Sequence, residues 1–326
     1  MTPAPVDPQE HPDLPELPYE AWSDTLDTLR LFVQIVGKVK LAATHPRNHW
    51  WNVTFSLDAR GLTTRRLCVD GVFFDIAFDF VDHRLVVRTD RGDVRTFALD
   101  GGLSVAGFDA RLHGTLAGLG VDVPLREKPF GVPHLTTPFA DDTAHATYDR
   151  ARVERYWRAL SWSADVLEEF TGWFTGKTSP VHVFWHSFDL AVTRFSGKRA
   201  DPLGTADPVT AEAYSHEVVS FGWWAGDPKV PYPAYYSYTA PKPDGLAARP
   251  LSPAAAAWVD DGAMALLPYE AVRAERDPRR ALLAFLQTAF EAGAGAAGWP
   301  ADELTSSWCP TPEQLRALAR SGLQGR

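Results

Sequence analysis

Ionisable side chains are concentrated in one otherwise apolar and aromatic stretch, residues 179–197, and in the short segment 212–217. The residues concerned are His182, His186, Asp189, Arg194, His216 and Glu217. A group that can ionise is costly to bury unless it is paired. This concentration therefore indicates either a satisfied network in the core or a functional site.

Acid–base chemistry on a bound anion is the reaction type that these residues favour. If 184–195 is one extended strand and pairs antiparallel with 213–224, Arg194 lies near His216 or Glu217, depending on the register. One interpretation is a structural ion pair between Arg194 and Glu217. The other is a site in which His216, held by a carboxylate, is a general base and Arg194 binds an anionic substrate.

Side-chain alternation along this strand divides the candidates between two faces. One face would carry Trp185, Ser187, Asp189, Ala191 and Thr193, and the other His182, Phe184, His186, Phe188, Leu190, Val192 and Arg194. We take His216, Glu217 and Asp189 as catalytic candidates, and Arg194, Trp185, Trp223 and Tyr236 as substrate-binding candidates.

Aromatic residues are frequent, with 12 tryptophans among 326 residues. Large aromatic side chains build cores and also line ligand pockets. We predict a pocket beside the two strands, with walls formed by Trp185, Trp223, Trp224, Tyr235 and Tyr236.

Metal binding is an alternative use of the histidines. His182 and His186 are four residues apart, and on a strand this spacing spans roughly 13 Å, which is too far for one metal ion. A metal site would need a bulge between them, or one of them together with His216 from another strand. No cofactor is predicted, and a divalent metal at these three histidines stays an alternative. His45 and His49, beside the first tryptophan pair, are interpreted as link residues without a chemical role.

Other catalytic motifs receive no support. Gly293–Gly298 matches Gly-x-Gly-x-x-Gly, but the match lies at the end of a predicted helix rather than between a strand and a helix. The chain has no Gly-x-Ser-x-Gly elbow. Neither Cys68 nor Cys309 has basic or histidine neighbours that would mark a reactive thiolate.

Composition excludes several classes of protein. A formal charge of −9 argues against binding to a phosphate backbone. No apolar run is long enough for a membrane helix, and the first residues lack the pattern of a signal peptide. Two distant cysteines are typical of a reducing cytoplasm. We therefore expect a small-molecule ligand, no nucleic acid and no membrane, and the sequence does not identify a protein partner.

The fold class predicted is α+β, with two similar halves, each an antiparallel β-meander covered by helices. The segments are a flexible Pro-rich tail (1–17), an N-terminal half (18–122), a linker or strap (123–147), a C-terminal half with the candidate site (148–300) and a C-terminal extension (301–326). The repeated element order suggests duplication, with chance similarity within an ordinary α+β protein as the alternative.

Local signals place the main elements. Apolar residues at helical spacing predict a helix over about 22–39. Asp70-Gly71 lies between two β-type runs and predicts a hairpin. Asp149 is a good N-cap for a second long helix. His83 lies in a predicted turn, where we expect it to be exposed to solvent.

Four segments give the chain a resemblance to a known family: Leu17–Trp22, Asn48–Asn52, Ser179–Gly197 and Glu212–Glu217. With these motifs the chain resembles the bacterial domain-of-unknown-function family 5996 over nearly its whole length. The resemblance implies a stand-alone bacterial cytoplasmic protein. It implies no activity, cofactor or catalytic residue.

The function that we expect is binding or conversion of a small polar or anionic molecule in the aromatic-lined pocket. The alternatives are a non-enzymatic interaction module that uses the Pro-rich loops 227–233 and 240–250, and a metal-dependent hydrolase.

Overall fold

The computed structural model describes residues 14–123, 128–200, 207–306 and 308–321. In this part of the chain the fold is α+β, as predicted, with two antiparallel sheets. The elements of the first half are α1 (Ser23–Ala42), β1 (Ser56–Leu57), β2 (Gly61–Thr63), β3 (Leu67–Val69), β4 (Val72–Asp79), β5 (Arg84–Thr89), β6 (Val94–Ala98) and α2 (Val105–Gly118). Those of the second half are α3 (Arg150–Gly172), β7 (His182–Phe184), β8 (Asp189–Arg199), α4 (Pro208–Ala213), β9 (His216–Trp224), β10 (Ala234–Ala240), β11 (Ala257–Val259), β12 (Met264–Pro268), α5 (Tyr269–Arg273), α6 (Pro278–Ala296) and α7 (Pro312–Ser321).

The first sheet is a meander in the order β1-β2-β4-β5-β6, with β3 also paired to β4. Asp70 and Gly71 form the predicted hairpin turn, both with left-handed backbone (φ 48° and 80°), so that Val69 pairs with Val72. Phe74, Ile76 and Phe78 alternate along β4 and are buried, whereas the intervening side chains point to the other face.

The second sheet has the order β11-β12-β10-β9-β8-β7. The helices α3 and α6 cover the face that we call the inner face. Phe170 of α3 packs edge-on against Phe221 at 4.9 Å, and the hydroxyls of Ser163 and Tyr235 are 2.9 Å apart. The predicted N-cap of α3 is confirmed, because the Asp149 side chain accepts from the third amide of the helix. The opposite side is the outer face.

The two sheets meet at their edges. Phe55, just before β1, and Val183 in β7 exchange two backbone hydrogen bonds of 2.8 and 2.9 Å. Because β7 is an edge strand, the segment just before β1 runs antiparallel beside the edge of the second sheet. This contact brings residues of the first half to the outer face of β7 and β8.

The predicted strap runs over α1. Its described part includes Phe130, whose backbone N–H and C=O both bond the side-chain amide of Gln34, and Phe139, which is buried. Two buried aliphatic residues, Leu14 and Leu17, differ from the expectation of a flexible tail over 1–17. Residues 1–13 of that predicted tail lie outside the described residues.

His83 differs from its prediction. It lies in a turn with left-handed backbone (φ 51°), as expected, but it is buried, and its Nδ1 is 3.2 Å from the Tyr148 hydroxyl. An aromatic hydroxyl from the segment before α3 therefore covers a turn that local sequence marks as exposed. No helix in the described ranges is both long and apolar enough to cross a membrane.

Candidate functional site

The stretch 182–195 is a tight hairpin rather than one strand. Residues 185–188 form the turn, in which Phe188 has φ 58° and its amide bonds the Phe184 carbonyl at 2.8 Å. His182 consequently pairs with Ala191, and Phe184 with Asp189. Paired residues of antiparallel strands share a face, so the turn moves His182 and Phe184 to the face of Asp189, contrary to the predicted division.

Arg194 points to the inner face and is buried there. In register it lies opposite Val219, while Arg199 lies opposite His216. Its guanidinium is 3.5 Å from the centre of the Phe170 ring and donates to the Phe170 carbonyl. Burial lowers the pKa of Arg194 to about 9. No described residue forms an ion pair with it, so neither of the two predicted pairings, with Glu217 or with His216, is present.

The aromatic walls of the predicted pocket do not come together. Trp223 and Tyr235 are buried on the inner face, whereas Trp224 and Tyr236 lie on the outer face, because neighbours on a strand point to opposite sides. Trp185 is buried in the hairpin turn against Gly37 of α1, where a Cβ would lie 2.3 Å from the indole. Surface grooves of about 430 and 690 Å³ lie elsewhere, along the first turns of α6 and the segment that precedes it.

The three histidines considered for a metal make separate contacts. His182 Nδ1 is 3.2 Å from the Thr54 hydroxyl, and burial lowers the pKa of His182 to about 3. The backbone carbonyl of His186 accepts from Gln34 at 3.2 Å. His216 Nδ1 is 3.1 Å from the Ser215 hydroxyl. Within the described ranges, no three His, Cys, Asp or Glu side chains are placed to hold one metal ion.

Another set of ionisable residues does converge, where the two halves meet. We call it the histidine–lysine cluster: His49, Lys177, Glu212 and His216. The His49 ring stands edge-on to that of His216, with centres 5.5 Å apart. The side-chain oxygen of Glu212 accepts from the His49 amide at 3.3 Å. Sequence reasoning found only His216 of these four.

The hydrogen bonds of His49 define its protonation. Its Nδ1 is 3.0 Å from the Ala213 carbonyl, and since a carbonyl oxygen only accepts, Nδ1 carries the hydrogen. The other nitrogen, Nε2, lies 2.7 Å from Nζ of Lys177 and accepts from the ammonium. Burial is the largest cause that lowers the pKa of His49, and the charge of Lys177 adds to it. A neutral imidazole is therefore held against a lysine.

Backbone strain accompanies this arrangement. His49 and Trp50 are consecutive non-glycine residues with left-handed φ of 55° and 59°. Such residues cost on the order of 1–3 kcal/mol each and concentrate at functional sites. The Trp50 indole donates to the Val209 carbonyl of α4 at 3.1 Å, which ties the strained segment to the second half. The only local signal was the run of polar and aromatic residues at 48–52, which has no periodicity.

Aromatic rings surround the lysine. Nζ of Lys177 lies 4.5 Å from the centre of the Phe195 ring and 5.2 Å from Trp51. Burial lowers the pKa of Lys177, and the charge of Glu212 opposes this shift. No described residue forms an ion pair with Lys177, although the residue as a whole is exposed.

A second group of polar residues lies on the outer face of β8, β9 and β10. We call it the tyrosine–aspartate network: Ser187, Asp189, Tyr214, Tyr236 and Tyr238. The Asp189 carboxylate accepts from the hydroxyls of Ser187 and Tyr236. The hydroxyls of Tyr214 and Tyr238 are 3.0 Å apart. Burial, and next the Asp189 charge, raises the pKa of Tyr236, so its hydroxyl remains a donor.

The other predicted residue of this region, Glu217, is separate from both groups. It lies on β9 beside His216 but points to the opposite face, and one of its oxygens is buried without a partner among the described residues. The structure therefore brings His216 into one group and Asp189 and Tyr236 into another.

These features define an α+β protein with two helix-covered sheets and polar groups on the outer face of the second. A family described as "Family of unknown function (DUF5996)" matches residues 14–306. The chain belongs to this family. No curated protein and no solved structure matches it significantly. Two of the four segments that carry the resemblance, 48–52 and 212–217, meet in the histidine–lysine cluster.

Proposed function

We propose that the protein binds a small anionic molecule, a carboxylate or a phosphate ester, at the histidine–lysine cluster. The observation that supports this most is the state of Lys177. Its ammonium donates one hydrogen to His49 and is not paired with a carboxylate of any described residue. An ammonium has three donors, and hydrogen bonds to charged groups are stronger than neutral ones.

His216 supplies the second functional group. Its Nδ1 contacts Ser215, and its Nε2 has no partner among the described residues. A half-buried imidazole with one free nitrogen can donate to a bound anion or take a proton from it. If the bound molecule is converted, His216 is the group that would act as the base, in agreement with its assignment from the sequence.

The test measures the binding of three probes, inorganic phosphate, phenyl phosphate and benzoate. Binding is monitored by NMR of the tryptophan indole groups. Trp51 is the reporter because its ring lies beside the Lys177 ammonium. We expect saturable binding, weakened about tenfold or more by Lys177→Met, since a hydrogen bond to a charged group is worth roughly 1.5–3 kcal/mol. Lys242→Met, at an exposed lysine paired with Asp261, is the matched control.

Two results would contradict the proposal. One is that none of the three probes binds the wild-type protein. The other is that Lys177→Met binds them as tightly as wild type while Lys242→Met is also unchanged. A metabolite extract applied to the immobilised wild-type protein, with Lys177→Met as the reference, then identifies the natural anion by mass spectrometry.

We also infer a cytoplasmic location. Both cysteines, Cys68 and Cys309, are free and exposed, which supports a reducing compartment. Fractionation of cells that express the protein tests this, and recovery from an oxidising compartment would contradict it.

A further inference from the structure

The tyrosine–aspartate network contains a carboxylate that the proposed function does not use. Asp189 is half-buried at the first position of β8. Its two hydrogen-bond donors, the hydroxyls of Ser187 and Tyr236, are both neutral. Neutral donors stabilise a carboxylate without cancelling its charge. A net negative charge therefore remains on the outer face of the second sheet.

No cation of the described chain compensates this charge. Asp189 forms no ion pair with a described lysine or arginine. His186 is a base that interacts with Asp189: burial lowers the pKa of His186, and the Asp189 charge opposes the shift. A carboxylate out of bulk water is normally paired with a positive group, so the missing partner is itself informative.

Aromatic rings lie beside the carboxylate. The Tyr236 ring lies between two other rings. Its centre is 5.6 Å from that of the Trp224 ring on one side and 6.1 Å from that of Tyr238, on which it stacks, on the other. Phe184 is the residue paired with Asp189 across the hairpin. Phe184, Trp224 and Tyr238 are half-buried and so keep part of their surface in contact with solvent. The faces of aromatic rings attract cations, most strongly when these are organic and weakly hydrated.

A glycine makes this arrangement possible. Tyr236 belongs to β10 and reaches Asp189 on β8 by lying across Gly222 of β9. A Cβ at position 222 would be 2.4 Å from the Tyr236 hydroxyl and 2.2 Å from the Leu190 carbonyl. Without a side chain there, the tyrosine ring lies flat over the central strand and its hydroxyl meets the carboxylate.

We propose that Asp189, together with the rings of Trp224 and Phe184, binds an organic cation, a primary ammonium or a guanidinium. The carboxylate accepts hydrogen bonds from the cation, and the rings contact its charged group and the adjoining methylene groups. Calcium or magnesium fits less well, because these ions take several oxygen ligands and the network offers one carboxylate.

The experiment compares two probes of the same size and ring, 2-phenylethylammonium with a charged terminal group and 2-phenylethanol with a neutral one, by saturation-transfer NMR. We expect the ammonium to bind wild type about tenfold more tightly than the alcohol, since hydrogen bonds between charged groups are stronger than those between neutral groups. Asp189→Asn keeps the shape of the side chain and should abolish the difference. Asp75→Asn, at a carboxylate paired with Arg88 on the first sheet, should preserve it.

Equal affinity of the two probes for wild type would overturn the proposal, as would an unchanged preference in Asp189→Asn. If Asp189→Asn does not fold, the Trp224→Leu variant tests the proposal in its place. We expect this variant to weaken ammonium binding about threefold, the size of an exposed cation–π contact, and an unchanged affinity would overturn the proposal. Lys177→Met should leave ammonium binding intact, which separates this test from that of the anion site.

Discussion

Lys177 Nζ lies 2.7 Å from His49 Nε2, although the two residues are separated by 128 positions in the chain. The contact joins a strained segment of the first half to the chain that leads into β7 of the second. Because the Ala213 carbonyl holds the hydrogen of His49 on Nδ1, the lysine faces a lone pair and donates to it. The electrostatic balance of the site is thus defined by residues from both halves.

Removing the positive charge of Lys177 and removing the negative charge of Glu212 should shift the pKa of His49 in opposite directions. Lys177→Met removes a positive charge that lowers the pKa of His49, so we expect this pKa to rise. Glu212→Gln removes a negative charge that raises it, so we expect the pKa to fall. An NMR titration of the imidazole, assigned with His49→Gln, measures both shifts. Shifts of the same sign in the two variants would contradict the contacts described here.

His182 should make the protein sensitive to acid. Its pKa is lowered from 6.5 to about 3, chiefly by burial and secondarily by Lys40. The unfolded chain therefore binds a proton before the folded protein does, and the stabilisation is complete above about pH 6.5 and is lost as the pH falls toward 3. We expect the free energy of unfolding to decrease over this window.

Urea denaturation of wild type and His182→Gln at a series of pH values tests this sign. The glutamine can still bond Thr54 but does not titrate. In His182→Gln the free energy of unfolding should therefore change less steeply with pH between about pH 3 and 6.5, by up to about 1.4 kcal/mol per pH unit. His45→Gln, at an exposed histidine, is the control and should keep the wild-type slope. Equal slopes in all three proteins would show that His182 is accessible to protons when folded.

Local signals were sufficient for most of the fold. Asp70-Gly71 has the residue types that a two-residue hairpin turn requires, and Asp149 has the side chain that caps a helix. In both cases the information lies within a few residues of the element. The division into two sheet-and-helix halves followed from such elements in order.

The candidate site depended on information that is not local. The turn at 185–188 contains neither glycine nor proline, and Phe188 takes its left-handed conformation because the surrounding core fixes it. Without a turn signal, 182–195 read as one strand, and the assignment of Arg194 and His182 to a common face was wrong. The contact between His49 and Lys177 has no signature in sequence spacing at all.

Gly222 should be intolerant of a side chain. Alanine there would place its Cβ against the Leu190 carbonyl and the Tyr236 ring, and neither the backbone of β8 nor the bonded tyrosine can move freely. We expect Gly222→Ala to destabilise the protein by roughly 1–3 kcal/mol, the range for overpacked sites. Gly114→Ala is the control, because that position in α2 is exposed and has open space around it. It should stabilise by up to about 1 kcal/mol.

Thermal unfolding of the two glycine variants checks this difference. A Gly222→Ala protein as stable as wild type would mean that Tyr236 does not lie across β9. Its hydroxyl would then not reach Asp189 by the path over Gly222 that is described above.

Arg194 and Glu217 should be energetically independent. Both point to the inner face, but Arg194 is stacked between Phe170 and Phe290 and burial alone lowers its pKa. We therefore expect the double-mutant cycle of Arg194→Met and Glu217→Gln to give a coupling energy within about 0.5 kcal/mol of zero, as for residues without a shared contact. Urea denaturation of the four proteins measures it.

A coupling of about 2 kcal/mol or more would mean that the two side chains form the ion pair that their sequence positions suggested, and that the stacking on Phe170 is not the dominant interaction. Arg194→Lys separates the two cases, since a lysine can keep an ion pair but loses the planar contact with the rings.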